Sequence, residues 1–250
     1  MSTAHPCQQR DGGLTGGFFC EANANKHGEL MARIVLASSS PRRRELLTRA
    51  GIRFSVVEPS DDGPLPPGIC ADLAAQLIAR RKAVAVAASQ PAGSFVLGAD
   101  TIVVGPTGPL GKPGSPERAQ SMLVELRGRR HTVLTGICVI VAHTDREVLG
   151  LGRSAVTMRE YTDEAIHTYV NSGEPLDRCG AYAIQGGGGD LIECVSGRID
   201  TVVGLDVPLA LRLLAEAGYP DPLPAATDVP LAPPRAARRP LAPLRAATRA

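Results

Sequence analysis

From residue 33 to residue 220, short β-branched runs alternate with segments of helical spacing, and most of the joints carry a start or stop signal. RIVLA (33–37) is followed by Ser40 and Pro41, which read as N-cap and first helical residue. Leu46 and Leu47 supply a buried face, and Gly51 closes that helix. FSVV (54–57) reads as a second strand. A helical pattern then runs from Ala71 to Ala88, with Leu73, Leu77, Ile78 and Val84 near helical spacing. FVLGADTIVVG (95–105) is a third strand, and after the turn PTGPLGKPG a helix opens at Ser115-Pro116-Glu117. HTVLTGICVIVA (131–142) and EVLGLGRSAVTMRE (147–160) predict two long strands joined by HTDR. Thr162 caps a helix to about Val170, LIECV (191–195) follows as a strand, and a last helix covers Pro208 to Ala217. Strands alternating with helices, plus one long hairpin, predict an α/β domain with a mixed β-sheet flanked by helices.

Composition sets the boundaries of that domain. Residues 1–30 lack apolar periodicity and read as a flexible leader, and the folded part spans 31–220. In the last thirty residues PLAPPRAARR (230–239) recurs as PLAPLRAATR (240–249). A Pro/Ala/Arg-rich repeat cannot bury enough surface to offset its ordering entropy, so 221–250 is expected to be a disordered tail. The tail carries five Arg against two Asp, whereas 31–220 holds as many acidic as basic residues. A generally basic nucleic-acid coat is therefore excluded, and only weak contact through the tail is left. The longest apolar run, Ile137 to Ala142, is too short to span a bilayer, and no secretion signal is present, so a cytoplasmic protein is expected. Six Cys without a C-x-x-C pair read as reduced thiols. Cys138 and Cys194 are expected in the core.

Three features point to chemistry. A helix start carries partial positive charge and favours acids, yet the helix after Ser40-Pro41 opens with Arg42, Arg43 and Arg44. Either these side chains splay into water, or an anion docks there on free backbone N–H groups and guanidinium forks. Asp100 is a carboxylate embedded in an apolar strand, where an unpaired charge is costly. It reads as an acceptor for backbone N–H groups, a metal ligand or a general base. Lys112 follows in a Gly-Lys-Pro-Gly turn. Lastly, GAYAIQGGGGD (180–190) allows close backbone approach to a ligand, without matching a phosphate-loop spacing. Tyr182 within it either stacks on a base or packs under the loop.

The segments LASSSPRRRELL (36–47), GADTIVV (98–104), GKP (111–113), SGEPLDRCGAYAIQG (172–186) and VVGLDVPL (202–209) together resemble the Maf family of nucleoside triphosphate pyrophosphatases. The resemblance covers residues 32–218. It implies two lobes flanking a cleft, a possible homodimer, and hydrolysis of a nucleoside triphosphate to the monophosphate and pyrophosphate with a divalent cation. Carried over position by position, it implies that Ser38, Ser40, Arg42 and Arg43 grip the triphosphate and that Lys82 and Lys112 neutralise phosphate charge. Asp100 would be the proton acceptor. Asp62, in a place the family commonly gives to Glu, would join Asp100 in holding Mg²⁺ or Mn²⁺. The subgroup resembling dTTP and UTP pyrophosphatases carries Arg, Thr and Gln where this chain has Arg42, Thr101 and Gln185, and the chain contains no Trp. Gln185 offers both donor and acceptor to a pyrimidine imide edge. The family name also implies an alternative role as a septum regulator acting through a protein partner.

Overall fold

The computed structural model describes residues 33–60, 63–220 and 223–224. The predicted leader, nearly all of the predicted tail, and the pair Asp61–Asp62 lie outside the described residues. The run Phe95–Gly105 forms one uninterrupted strand, β3, and the sheet is built around it. On one side of β3 lies β1 (Ile34–Ala37), itself paired with β2 (Ser55–Val57); both pairings are parallel. On the other side lie the hairpin β5 (Arg130–Val141) and β6 (Glu147–Met158) and then β7 (Ile192–Gly197), all antiparallel. The distal end of β3 pairs with β4 (Gly108–Leu110), a short strand inside what the sequence presents as a turn. The sheet is mixed, with seven strands, as the alternating pattern predicts.

Because both faces of β1 are covered, its four residues are all buried and alternate between two apolar clusters. Ile34 and Leu36 join Leu46 and Leu47 of α1 (Pro41–Arg49), Leu123 and Leu126 of α3 (Pro116–Leu126), and Leu213 and Leu214 of α6 (Val207–Glu216). Val35 and Ala37 join Ala79, Ala83 and Val86 of α2 (Ala71–Ala87). The helices α3 and α4 (Asp163–Asn171) pack together with 3-10 turns at Glu174–Asp177 and Cys179–Ala181, and share the larger apolar cluster with the sheet. A further short helix, α5 (Ile199–Val203), precedes α6. The predicted caps are present at α3 and α4, where the Ser115 and Thr162 hydroxyls accept from the Arg118 and Ala165 amides. Ser40 and Pro41 occupy N-cap and first position of α1, but the Ser40 side chain accepts no capping bond.

The face that α2 buries is not the one marked by its large apolar residues. Leu73 and Val84 are 58% and 43% exposed, whereas Ala74, Ala75, Ala79 and Ala83 meet the sheet. The reason is proximity. A Cβ on Gly98 would sit 2.2 Å from the Ala79 carbonyl oxygen, and one on Gly136 would sit 2.2 Å from that of Ala75. Glycines on β3 and β5 and alanines on the helix let the two backbones touch, which larger residues would prevent. Cys194, expected in the core, is exposed on the edge strand β7, while Cys138 is buried as expected.

Two outcomes follow for stability. Gly136→Ala is expected to destabilise the fold by about 2–3 kcal/mol, because the methyl has no space unless α2 lifts; the denaturant midpoint checks this, and an unchanged midpoint would show that the contact is slack. The second concerns His131, which is 4% exposed and shares a 2.7 Å hydrogen bond with the Tyr182 hydroxyl. Burial pushes its imidazole down to about 4. The unfolded chain takes up that proton near pH 6.5, so stability is fully present above about 6.5 and is lost as pH falls toward 4, by about 3 kcal/mol. Urea unfolding at stepped pH should show this decline in the wild type and a smaller one in His131→Gln.

Candidate active site

β1 ends where Ala37 pairs with Gly98, and β4 joins only from Val103 onward. Residues 99–102 of β3 therefore have no strand on that side, and a cavity of about 330 Å³ opens into the gap. Side chains alternate along β3. Asp100 points toward α2, where Lys82 Nζ meets its Oδ1 at 2.7 Å, both side chains being 18% exposed. Thr101 points to the opposite face, toward Arg43 and Thr135. Lys82 reaches Asp100 because α2 lies so close to the sheet; the pair is a direct product of the alanine–glycine contact. Asp100 Oδ2 makes no hydrogen bond with the described residues.

The loop from β1 into α1 forms one wall. Ser38 Oγ accepts from the Ser40 amide at 3.2 Å and from Arg43 Nη1 at 3.2 Å, which leaves its own hydrogen to donate elsewhere. Arg43 does not splay into water. It is 9% exposed, donates from Nε to the Gly204 carbonyl at 2.8 Å and from Nη2 to Thr101 Oγ1 at 3.4 Å, and forms part of the cleft floor. Burial lowers its pKa, and the nearby Asp100 carboxylate opposes that shift. Arg42, half-buried, makes no hydrogen bond or ion pair with the described residues. Its pKa is lowered first by burial and then by the like charges of Arg178 and Arg43. The Asp177 carboxylate opposes that shift in part, and the excess of guanidinium over carboxylate favours an incoming anion. Arg44 is exposed.

Another part of the lining comes from the turn at Lys112 and the segment from Asp177 to Gln185. Lys112 lies at the rim, 2.5 Å from Asp177, whose carboxyl is held below the usual range by that ammonium. Arg178 lines the cleft, with its Nη1 3.8 Å from Asp177 and its buried Nε without a hydrogen-bond partner among the described residues. Cys179 is half-buried in the cleft lining, and burial followed by the Asp100 charge pushes its thiol up. Gln185 lines the cleft and is exposed. The glycines after it serve packing: a Cβ on Gly186 would strike the Glu174 carboxylate and one on Gly188 the Tyr169 hydroxyl. Tyr182 packs under the loop, 5% exposed, with its hydroxyl spent on His131.

Ser38, Ser40, Arg42, Arg43, Lys82, Asp100, Thr101, Lys112 and Gln185 thus all line one cavity, and Asp62 lies outside the described residues. Sequence reasoning passed over Asp177 and Arg178, although a charged pair just before Cys-Gly was a usable signal. The Gly204 carbonyl had none, since backbone acceptors are invisible in residue types. Among the described residues no three acidic, His or Cys side chains gather as a metal cage. Asp100 is the carboxylate at the cleft floor, and a hard divalent ion is commonly held by one or two carboxylates plus substrate phosphates, so the donor set fits an ion that arrives with a polyphosphate.

Comparison with known proteins places the chain in a family. Residues 33–217 match the family model described as Maf-like protein. A dTTP/UTP pyrophosphatase of Myxococcus xanthus (strain DK1622) is 45% identical over 189 residues, covering 76% of this chain and 94% of the relative. The dTTP/UTP pyrophosphatases of Moorella thermoacetica and Symbiobacterium thermophilum are 44% and 43% identical, each matched over 96% of its own length and over 75% and 76% of this chain. On the match from residue 33 to residue 217, this chain belongs to the Maf family.

Proposed function

We propose that the protein is a nucleoside triphosphate pyrophosphatase that hydrolyses dTTP and UTP to the monophosphate and pyrophosphate. The observation that carries this reading is the Asp100 carboxylate on the floor of a cleft lined by Arg42, Arg43, Lys82, Lys112 and Arg178, cations that outnumber Asp100 and Asp177, the other carboxylate of that lining. A polyphosphate is the ligand that such a lining attracts, and one carboxylate beside it suffices to handle a proton. The relatives named dTTP/UTP pyrophosphatase point to the same chemistry.

In this reading the triphosphate lies along the start of α1, where the first-turn amides, the Ser38 hydroxyl and Arg42 donate to its oxygens. Arg178 and Lys112, also in the cleft lining, neutralise charge that builds on the leaving pyrophosphate. Lys82 holds Asp100 by Oδ1, so that Oδ2 is the oxygen placed to take a proton from the attacking water. Attack on the α-phosphorus breaks its bond to the bridging oxygen, and pyrophosphate leaves. A bound Mg²⁺ or Mn²⁺, held by Asp100 with phosphate oxygens and with Asp62 as an expected further ligand, would polarise the phosphoryl group. Gln185, exposed at the cleft wall, would offer its amide donor and acceptor to the imide edge of a pyrimidine. The septum-regulator alternative has no feature among the described residues in its favour.

A panel of nucleoside triphosphates with Mg²⁺ or Mn²⁺, with pyrophosphate and orthophosphate both measured, tests the reading. Pyrophosphate release is expected, fastest from dTTP and UTP; orthophosphate as first product would refute it. Asp100→Asn is expected to lower kcat by about a hundredfold or more, with KM for dTTP changed far less.

A further inference from the structure

We propose that Thr135, outside the cleft and fully buried, is a positioning residue that aims Arg43 through a one-way chain of hydroxyls; the inference rests on the pyrophosphatase reading only for its kinetic readout. The argument is donor counting. A threonine hydroxyl has one hydrogen. Thr135 Oγ1 lies 2.8 Å from the Thr201 carbonyl oxygen, which can only accept, so the Thr135 hydrogen points there. In the 2.9 Å contact between Thr101 Oγ1 and Thr135 Oγ1, Thr135 must then accept and Thr101 must donate. The Thr101 hydrogen is thereby committed, and the Thr101 oxygen offers a lone pair to Arg43 Nη2 at 3.4 Å.

Without Thr135 the Thr101 hydrogen has another acceptor, the Gly204 carbonyl at 3.5 Å, which already receives Arg43 Nε at 2.8 Å. The hydroxyl would compete with the guanidinium for its main anchor. The register makes this relay specific, since Thr101 and Thr135 are directly opposed across β3 and β5. Its far end is firmly held. The Thr201 amide donates to Asp200 and the Thr201 hydroxyl to Asp206, each at about 3 Å, and the guanidinium of Arg198 clasps Asp200. Both acceptors that place Arg43, the Gly204 and Thr201 carbonyls, thus sit on or beside one clamped turn, α5. Arg43 in turn saturates Ser38 Oγ, so the Ser38 hydrogen is left to face an anion. Thr101 consequently acts on the substrate through Arg43 and has no hydrogen to spare for a base.

The test uses Thr135→Val, Thr135→Ser, Thr101→Val and the double valine variant. Two readouts are taken in parallel: binding of inorganic tripolyphosphate by calorimetry and kcat/KM for dTTP. Thermal melting confirms that each variant is folded. Thr135→Val is expected to weaken tripolyphosphate binding and kcat/KM by about tenfold, as for one lost internal hydrogen bond. Thr135→Ser should stay within about twofold of wild type, and the double variant should be no worse than Thr101→Val alone, because both substitutions cut one chain. Wild-type affinity in Thr135→Val, multiplied losses in the double variant, failure of serine to rescue, or absence of tripolyphosphate binding by the wild type would each overturn the proposal. Should Thr135→Val not fold, Thr101→Val and Thr101→Ser read the same bond from its donor end, with the same tenfold and twofold expectations. Failure of the wild type to release pyrophosphate from dTTP, with the tripolyphosphate pattern intact, would sink the enzyme reading and leave the relay standing.

Discussion

The contact between the α2 backbone and the sheet is the constraint from which the site follows. Gly98 and Gly136 remove the side chains that would hold the helix off, and Ala75 and Ala79 remove the helix's own. A normal helix-on-sheet spacing, set by interdigitating Leu and Val, would carry Lys82 away from the strand. Here the ammonium stands 2.7 Å from Asp100, at low exposure on both sides. A pair this sheltered cannot be treated as a loose surface ion pair, whose net contribution is usually near zero. The small residues give up hydrophobic burial, and in exchange a charged pair is set at one position along the strand.

The second requirement is a gap in the sheet. Between the end of β1 and the start of β4, β3 runs unpaired on one side, and its alternation sends Asp100 and Thr101 to opposite faces of that gap. One face then carries the lysine-bound carboxylate and the other the arginine-holding hydroxyl. Two consecutive residues can divide such tasks only on an extended strand, because a helix would set them about 100° apart. The Arg-rich start of α1 resolves in the same way: Arg43 turns inward to neutral acceptors, Arg42 turns into the cleft, and Arg44 stays in solvent.

How much of this could be foreseen depends on what each signal consisted of. The strands and most helices were legible because β-branched runs, Ser/Thr caps and helix-stopping glycines act locally. The burial of α2 was misleading, because Leu73 and Val84 mark the wrong face when the true contact is made by residues too small to register as hydrophobic. β4 was hidden in a Gly/Pro-rich turn, since three residues at a strand end need little propensity once β3 offers a free edge. The rule-breaking Arg42 and Arg43 and the embedded Asp100 line one and the same cavity. The division of labour among them was not foreseeable, because it is set by the Gly204 carbonyl, by Thr135 and by Asp177, none of which carries a distinctive local pattern.

The buried guanidinium of Arg43 ties these points together. A charge moved out of water costs several kcal/mol unless it is fully hydrogen-bonded, and this one is met by a carbonyl and two hydroxyls rather than by a carboxylate bonded to it. A carboxylate partner would stabilise the empty enzyme more, but it would also cancel the field that draws in a polyphosphate. Neutral acceptors satisfy the donors and leave the charge in place. Asp100, the nearest acid, is instead bonded to Lys82 across the strand. The cleft therefore keeps a net positive lining with the Asp100 carboxylate set within it.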